Sequence, residues 1–169
     1  EDPENAEAYF YLGRAHDLKK QPAQALKNYQ LAVETDPLNG GYLFACGESF
    51  VQNGQTGKGI SFIRKGIELK GPDFRSRLIL AQSLYMNKEF NASLDVLAQL
   101  LKEYPHSYVL HEALAFCYKA LDQYPQAVSV YAQAVKLMPY DARVYYSMSL
   151  LYEAMGQAKK SHQMTKRYL

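Results

Sequence analysis

The chain has 169 residues, and its 19 Lys and Arg against 17 Asp and Glu give a formal net charge of +2 at pH 7. A charge this close to zero produces no long-range field, so we expect no nucleic-acid partner and no direct membrane insertion. Hydrophobic residues make up 48% of the chain and charged residues 21%, which is typical of a globular protein. The sequence starts without Met or an apolar signal segment, which predicts a fragment of a longer polypeptide.

Cysteine and histidine placement gives no indication of a metal or catalytic centre. Cys46 and Cys117 lie in apolar stretches with no Cys-x-x-Cys spacing, which favours buried free thiols over a disulfide and is typical of a reducing compartment such as the cytoplasm. The four histidines are dispersed, and we expect His16 to be packed in the core. Without a phosphate loop, a nucleophile elbow or a zinc motif, the sequence predicts a protein that is not an enzyme and has no cofactor and no metal.

An internal repeat organises the whole chain. Pro3 and Pro37 are 34 residues apart, as are Pro105 and Pro139, and the interval between the two pairs is 68 residues. At this period the predicted single array consists of the tail of a preceding repeat, four repeats and a truncated fifth, at 1–5, 6–39, 40–73, 74–107, 108–141 and 142–169.

Small and large residues recur at fixed places of the repeat, as closely crossing helices require. Two columns contain only Gly, Ala or Ser: Gly13, Gly47, Ala81, Ala115 and Ser149, and then Ala25, Gly59, Ser93, Ala127 and Ser161. The first and fourth units match most fully, through Tyr9, Leu12, Gly13, Ala25, Tyr29, Ala32 and Pro37, and through Leu114, Ala115, Tyr118, Ala127, Tyr131, Ala134 and Pro139. With these residues the chain resembles the tetratricopeptide repeat family. The resemblance implies an all-α fold, a right-handed superhelical solenoid of helix-turn-helix repeats.

Local signals predict two helices in each unit, a helix A and a helix B. In the first unit helix A runs from about Ala6 to Leu18 and helix B from about Pro22 to Glu34. Pro22 and Pro125 are predicted to lie in the first turn of a helix B. Proline fits there because the first helical turn does not need its amide hydrogen. Five side chains are predicted to cap a helix A, namely Asn5, Asn39, Asp73, Ser107 and Asp141.

The second repeat, residues 40–73, holds most of the ten glycines of the chain. Gly57, Gly59 and Gly66 lie in or near its helix B, where glycine costs about 0.5 to 1 kcal/mol relative to alanine. Two interpretations remain open at this point. The glycines either make this repeat the most flexible segment of the chain or allow its two helices to pack closely.

The resemblance implies that a protein or peptide partner binds in a concave groove lined by the A helices. The family's groove places carry over to Phe10, Arg14, Asp17, Phe44, Glu48, Val51, Arg75, Leu78, Gln82, Tyr85, Glu112, Phe116, Lys119, Arg143, Tyr146, Leu150 and Glu153. Buried apolar anchors would supply affinity there, and Arg14 or Lys119 would fix the register. Some of these aromatic residues could instead pack between adjacent A helices. If Phe44 and Phe116 are on the groove floor, replacing both by alanine removes binding and leaves helix content intact.

The sequence thus predicts a non-enzymatic adaptor that binds a peptide or protein segment within a larger assembly. One alternative is a structural spacer or scaffold that self-associates through exposed repeat ends. A more distant alternative is an RNA-binding helical repeat, whose base-reading places hold Phe10, Phe44, Leu78, Glu112 and Tyr146 here.

Overall fold

The computed structural model describes the backbone of residues 3–168 and the side chains of residues 6–168. Within this range the chain forms ten α-helices and no β-strand. The helices are α1 (Pro3–Leu18), α2 (Pro22–Thr35), α3 (Gly40–Gln52), α4 (Thr56–Lys70), α5 (Phe74–Met86), α6 (Phe90–Glu103), α7 (Tyr108–Ala120), α8 (Tyr124–Leu137), α9 (Ala142–Ala154) and α10 (Ala158–Tyr168).

The helices form two compact units. The first unit contains α1–α5, and the second begins at Phe90 and contains α6–α10. In the first unit α1 packs on α2 and α3 on α4, and further contacts join α2 to α3 and α4 to α5. In the second unit α7 packs on α8 and α9 on α10, and further contacts join α6 to α7 and α8 to α9. Each unit therefore contains two helical hairpins and one further helix, α5 in the first unit and α6 in the second. These helices bury their apolar faces against their neighbours.

The short turns that follow α1, α3, α5, α7 and α9 share one backbone conformation. One residue in each turn has a φ between 56° and 78°, and these residues are Lys20, Gly54, Lys88, Asp122 and Gly156. Successive members of this set are 34 positions apart, so the same left-handed turn recurs at the period of the sequence. The first hairpin agrees with its predicted bounds to within a few residues, since α1 ends at Leu18 and α2 starts at Pro22.

Three of the five predicted caps are confirmed. The side chains of Asn39, Asp73 and Asp141 each accept hydrogen bonds from backbone N–H groups in the first turn of α3, α5 and α9. Ser107 precedes α7 but its side chain makes no capping hydrogen bond, so that prediction is wrong. The prediction for Asn5 is also wrong, because α1 starts at Pro3 and contains Asn5. The proline predictions are confirmed, since Pro22 and Pro125 both lie in the first turn of their helices.

The Asp73 cap is expected to make stability dependent on acid. Its carboxylate accepts from the Ser76 N–H at 2.8 Å and from Lys70 Nζ at 2.6 Å, and these bonds lower the pKa of Asp73 to about 2. Because the ordinary value is about 3.9, the stabilisation is complete above pH 4 and disappears as the pH falls through the folded-state pKa. We expect Asp73→Ala to lower the free energy of unfolding by about 1 kcal/mol at pH 7, with the difference shrinking between pH 4 and 2.

Urea unfolding followed by circular dichroism at several pH values measures this difference. Asp95→Ala, which removes an exposed aspartate within α6 that caps no helix, is the control for the loss of a carboxylate. A constant difference between wild type and Asp73→Ala from pH 7 to 2 would contradict the prediction.

Each unit has its own core. In the first unit Leu26, Tyr29 and Phe50 surround Cys46, and in the second Tyr131, Val144 and Met148 are among the buried residues. Both cysteines are free and buried, as predicted, and burial raises the pKa of the Cys46 thiol to about 12. This thiol therefore stays protonated and unreactive at neutral pH.

The expected core histidine is a different one. His16 is half-buried, and its Nδ1 lies 2.7 Å from the Gln21 side-chain oxygen. His111 is the fully buried histidine, with its Nδ1 2.9 Å from the Ser107 carbonyl oxygen. The repeat placed both residues on helices but did not show which one faces the interior.

The glycines of the second repeat allow α3 and α4 to approach backbone to backbone. A Cβ added to Gly47 would lie 2.7 Å from the Ile63 amide nitrogen and 2.8 Å from the Gly59 carbonyl oxygen. One added to Gly66 would lie 2.7 Å from the Phe44 nitrogen. Of the two interpretations, close packing is supported for Gly59 and Gly66. Gly57 has no such neighbour, since a Cβ there meets nothing within 4 Å.

Two further observations concern possible membrane or metal association. None of the helices in the described part of the chain has the length and apolar character needed to cross a bilayer. Across residues 3–168, no three His, Cys, Asp or Glu side chains are grouped so that they could hold a metal ion.

Candidate functional site

Two clefts contain most of the predicted groove residues, one in each unit. The first cleft has a volume of about 670 Å³ and lies in the unit formed by α1–α5. Its lining includes six predicted residues, Phe10, Arg14, Asp17, Phe44, Glu48 and Arg75, together with Tyr29, Lys70 and Asp73. Helices α1, α3 and α5 provide the predicted residues, and α2 and the end of α4 complete the walls.

Aromatic residues of the first cleft serve mainly as packing groups. The Phe10 ring is half-buried, and its centroid lies 5.0 Å from that of Tyr42 and 5.8 Å from that of Tyr29. The Phe44 side chain is only 7% exposed, and the Lys70 ammonium lies 4.7 Å from its ring centre. These two residues fit the alternative in which aromatic residues pack between helices.

The predicted behaviour of the Phe44 and Phe116 double variant therefore needs correction. Because Phe44 is buried, its truncation leaves a cavity and weakens the fold, so lost binding could not be assigned to the groove.

Four of the charged groups in the first cleft form ion pairs. Lys70 is bound to Asp73 at 2.6 Å. Burial raises the pKa of Glu48, and Arg75, 3.6 Å away, partly opposes that rise. Tyr29 donates a hydrogen bond to Asp17 Oδ2 at 2.6 Å, and burial followed by this bond raises the pKa of Tyr29, which stays a neutral donor. Arg14 lies 6.0 and 5.8 Å from the ring centres of Phe10 and Tyr11.

The second cleft is smaller and its apolar residues are open to solvent. It has a volume of about 430 Å³ and lies between α7 and α9, above Tyr131 of α8. Six predicted residues line it, Glu112, Phe116, Lys119, Arg143, Tyr146 and Leu150, together with Tyr108 and Ser147. Phe116 is 50% exposed, Tyr146 48% and Leu150 45%. This apolar surface is available to a partner in the described structure.

A polar network borders one end of the second cleft. The Tyr108 hydroxyl donates to Glu112 Oε1 at 3.0 Å and lies 3.4 Å from Ser147 Oγ. The Arg143 guanidinium lies 4.1 Å from the Tyr108 ring centre, which is a cation–π contact. Arg143 also donates from Nε and Nη2 to the two carboxylate oxygens of Asp141, at 2.9 and 2.6 Å. Asp141 thus caps α9 and orients Arg143 at the same time.

The remaining predicted residues are placed elsewhere. Val51 on α3 lines neither cleft and is half-buried, with its side chain facing Gly59 of α4. Leu78, Gln82 and Tyr85 lie on α5 and line neither cleft; Leu78 is half-buried and the other two are exposed. Glu153 borders a hollow beside α10 that also contains His162.

Sequence reasoning missed several lining residues that come from outside the carried-over places. Tyr29 and Tyr131 hold the same place in their repeats and each lines a cleft, so the 34-residue period could have identified both. Tyr108 and Ser147 carried no comparable signal.

Comparison with known proteins agrees with this architecture. Tetratricopeptide repeat profiles match residues 6–39 and 84–151. The mouse protein "BBSome complex member BBS4" is 24% identical over 149 residues, which cover 88% of this chain. The chain spans only 29% of the length of that relative.

Solved structures are similar over nearly the whole chain. A crystal structure of MamA protein superimposes with a TM-score of 0.82 at 22% sequence identity. The superposition covers 98% of this chain and 91% of the MamA chain. The structure of YrrB, described as a TPR protein with an unusual peptide-binding site, gives a TM-score of 0.75 at 16% identity and covers 98% and 85% of the two chains.

These similarities confirm the predicted all-α repeat fold and indicate a protein–protein interaction module. The helical hairpins, the 34-residue period and both profile matches agree with one another. The chain belongs to the tetratricopeptide repeat family.

Proposed function

We propose that this protein is a non-enzymatic adaptor that binds a peptide or protein segment along its A helices, within a larger assembly. The observation that carries the proposal is the second cleft, where Phe116, Tyr146 and Leu150 are each about half exposed around a volume of about 430 Å³. Aromatic residues grouped in a concave site are the usual anchors of protein interfaces.

The relatives support both parts of the proposal. YrrB has a peptide-binding site on the same fold, and BBS4 is a member of a complex. The first cleft has a secondary role in the proposal, because Phe44 is buried there and its charged groups are largely paired with one another.

The proposal predicts that aromatic residues of the second cleft control binding. Phe116→Ala and Tyr146→Ala should each weaken the complex with the natural partner by about 2 kcal/mol, a rise of roughly 30-fold in the dissociation constant, because each removes a central anchor. Partners are first captured from an extract of the source organism and identified by mass spectrometry. Their affinities are then measured by titration calorimetry.

Tyr140→Ala is the matched control, because Tyr140 is 98% exposed in the turn before α9 and lines neither cleft. Circular dichroism verifies that all three variants keep their helices. A partner that Tyr140→Ala retains and the cleft variants lose supports the proposal. Equal retention by every variant would move the interface elsewhere, and capture of this chain alone would favour the self-associating scaffold.

A further inference from the structure

Two cations stand at opposite ends of the second cleft. Arg143 lies over the ring of Tyr108, the first residue of α7, and Lys119 is the second-last residue of the same helix. Both line the cleft. Tyr108 and Lys119 are 11 positions apart, and at 1.5 Å per residue this separates the two ends of the cleft by about 16 Å along α7.

Arg143 is held in place before any ligand arrives. Its Nε and Nη2 bind Asp141, and its guanidinium plane rests against Tyr108. A guanidinium has five N–H donors, so Nη1 and the second hydrogen of Nη2 remain for another acceptor. The side chain is 65% exposed, which leaves these donors accessible. Asp141 already balances the charge of Arg143, so a carboxylate placed here would be held by hydrogen bonds to the remaining donors, at little cost in side-chain ordering.

Lys119 is the cation at the other end of the cleft. It is exposed, and among the residues that the structure describes it has no carboxylate partner. Its flexible stem allows the ammonium to reach a carboxylate over a range of positions. Phe116 lies one helical turn earlier on α7, so an acidic group at Lys119 would stand next to an apolar side chain bound against Phe116.

The middle of the cleft disfavours a carboxylate and favours apolar side chains. Glu112 lies between the two ends on α7, and its carboxylate accepts from the Tyr108 hydroxyl. It would repel an acidic group at the middle of a bound segment. Phe116, Tyr146 and Leu150 favour apolar side chains in the same region.

We infer that the second cleft selects a short extended segment with apolar side chains in its middle and a carboxylate near each end. An extended chain covers about 3.3 Å per residue, so about 16 Å corresponds to acidic residues roughly five positions apart. This inference rests on the proposed function, because it names the class of peptide that the same cleft takes.

Selection from a random twelve-residue peptide library displayed on phage tests the inference. Wild-type protein should enrich peptides with Asp or Glu four to six positions apart and Phe, Tyr, Leu or Ile between them. The double variant Lys119→Gln with Arg143→Gln should lose the enrichment of acidic residues and keep that of apolar ones. Lys136→Gln, which removes an exposed cation of α8 that does not line the cleft, should select the wild-type pattern.

The most enriched peptide is then synthesised with a fluorescent label and measured by anisotropy. Replacing either acidic residue by its amide, or either cation by glutamine, should weaken binding about three- to fivefold, the range of an exposed ion pair. The effect should decrease as salt is added. Lys136→Gln should change nothing.

The possible failures separate this inference from the proposed function. Enrichment of apolar or basic peptides that Phe116→Ala abolishes would overturn the acidic specificity and leave peptide binding in the cleft standing. Acidic peptides whose affinity does not depend on Lys119 and Arg143 would also overturn it. Selection that Phe116→Ala leaves unchanged would contradict both.

Discussion

Replacing Gly47 by alanine is expected to destabilise the first unit by about 3 kcal/mol, the upper end of the range for an overpacked core, because the new methyl group has no space. It would lie 2.7 Å from the Ile63 nitrogen and 2.8 Å from the Gly59 oxygen, both of which are backbone atoms. Backbone atoms cannot rotate away as a side chain can, so α3 and α4 would have to separate along their length. The measurement is the free energy of unfolding in urea.

Gly57→Ala is the matched control on the same hairpin. Gly57 is exposed near the start of α4, and a Cβ there meets nothing within 4 Å. Alanine at this helical position should leave stability unchanged or raise it by up to about 1 kcal/mol, because it restricts the unfolded chain. Equal effects of the two substitutions would show that α3 and α4 do not meet at Gly47 as described.

Phe44→Ala is expected to cost about 3 to 5 kcal/mol of stability, the range for a buried phenylalanine. Its ring is 7% exposed and lies beneath the Lys70 ammonium, whose distance from the ring centre is 4.7 Å. Truncation removes both the apolar burial and the cation–π contact. Urea or thermal unfolding of the variant measures the loss.

Phe116→Ala makes the informative comparison, because Phe116 is also a predicted groove phenylalanine, at the ninth place of its repeat where Phe44 holds the fifth, and is 50% exposed. Its substitution should change the free energy of unfolding by about 1 kcal/mol or less. Phe44→Ala would then act through stability and Phe116→Ala through binding. Comparable destabilisation by both variants would mean that the second cleft is closed in solution.

The sequence predicted the features that depend on neighbouring residues in the chain. The caps at Asn39, Asp73 and Asp141 form within three residues, so a side-chain oxygen at the right position is nearly sufficient. Ser107 shows the limit of this reasoning. It stands at the same place in its repeat, yet its side chain makes no capping bond.

Periodicity was a weaker guide to the candidate site. The family pattern assigned both Phe44, at the fifth place of its repeat, and Phe116, at the ninth, to the groove, but one ring is buried and the other is half exposed. It also could not show that Arg143 binds Asp141 while Lys119 remains available. The exposure and charge pairing of a side chain depend on how closely the adjacent helices pack around it. In the first unit the glycines bring α3 close to α4 and so alter that packing.

The 34-residue period, the all-α repeat fold and the family follow from the sequence, because helix periodicity, small-residue columns and turn residues are local and recur in every repeat. The close packing at the glycines and the exposure of the groove residues emerge from the packed helices. Burial and electrostatic pairing involve atoms from helices that are distant in sequence, such as Gly47 with Ile63 and Tyr108 with Arg143.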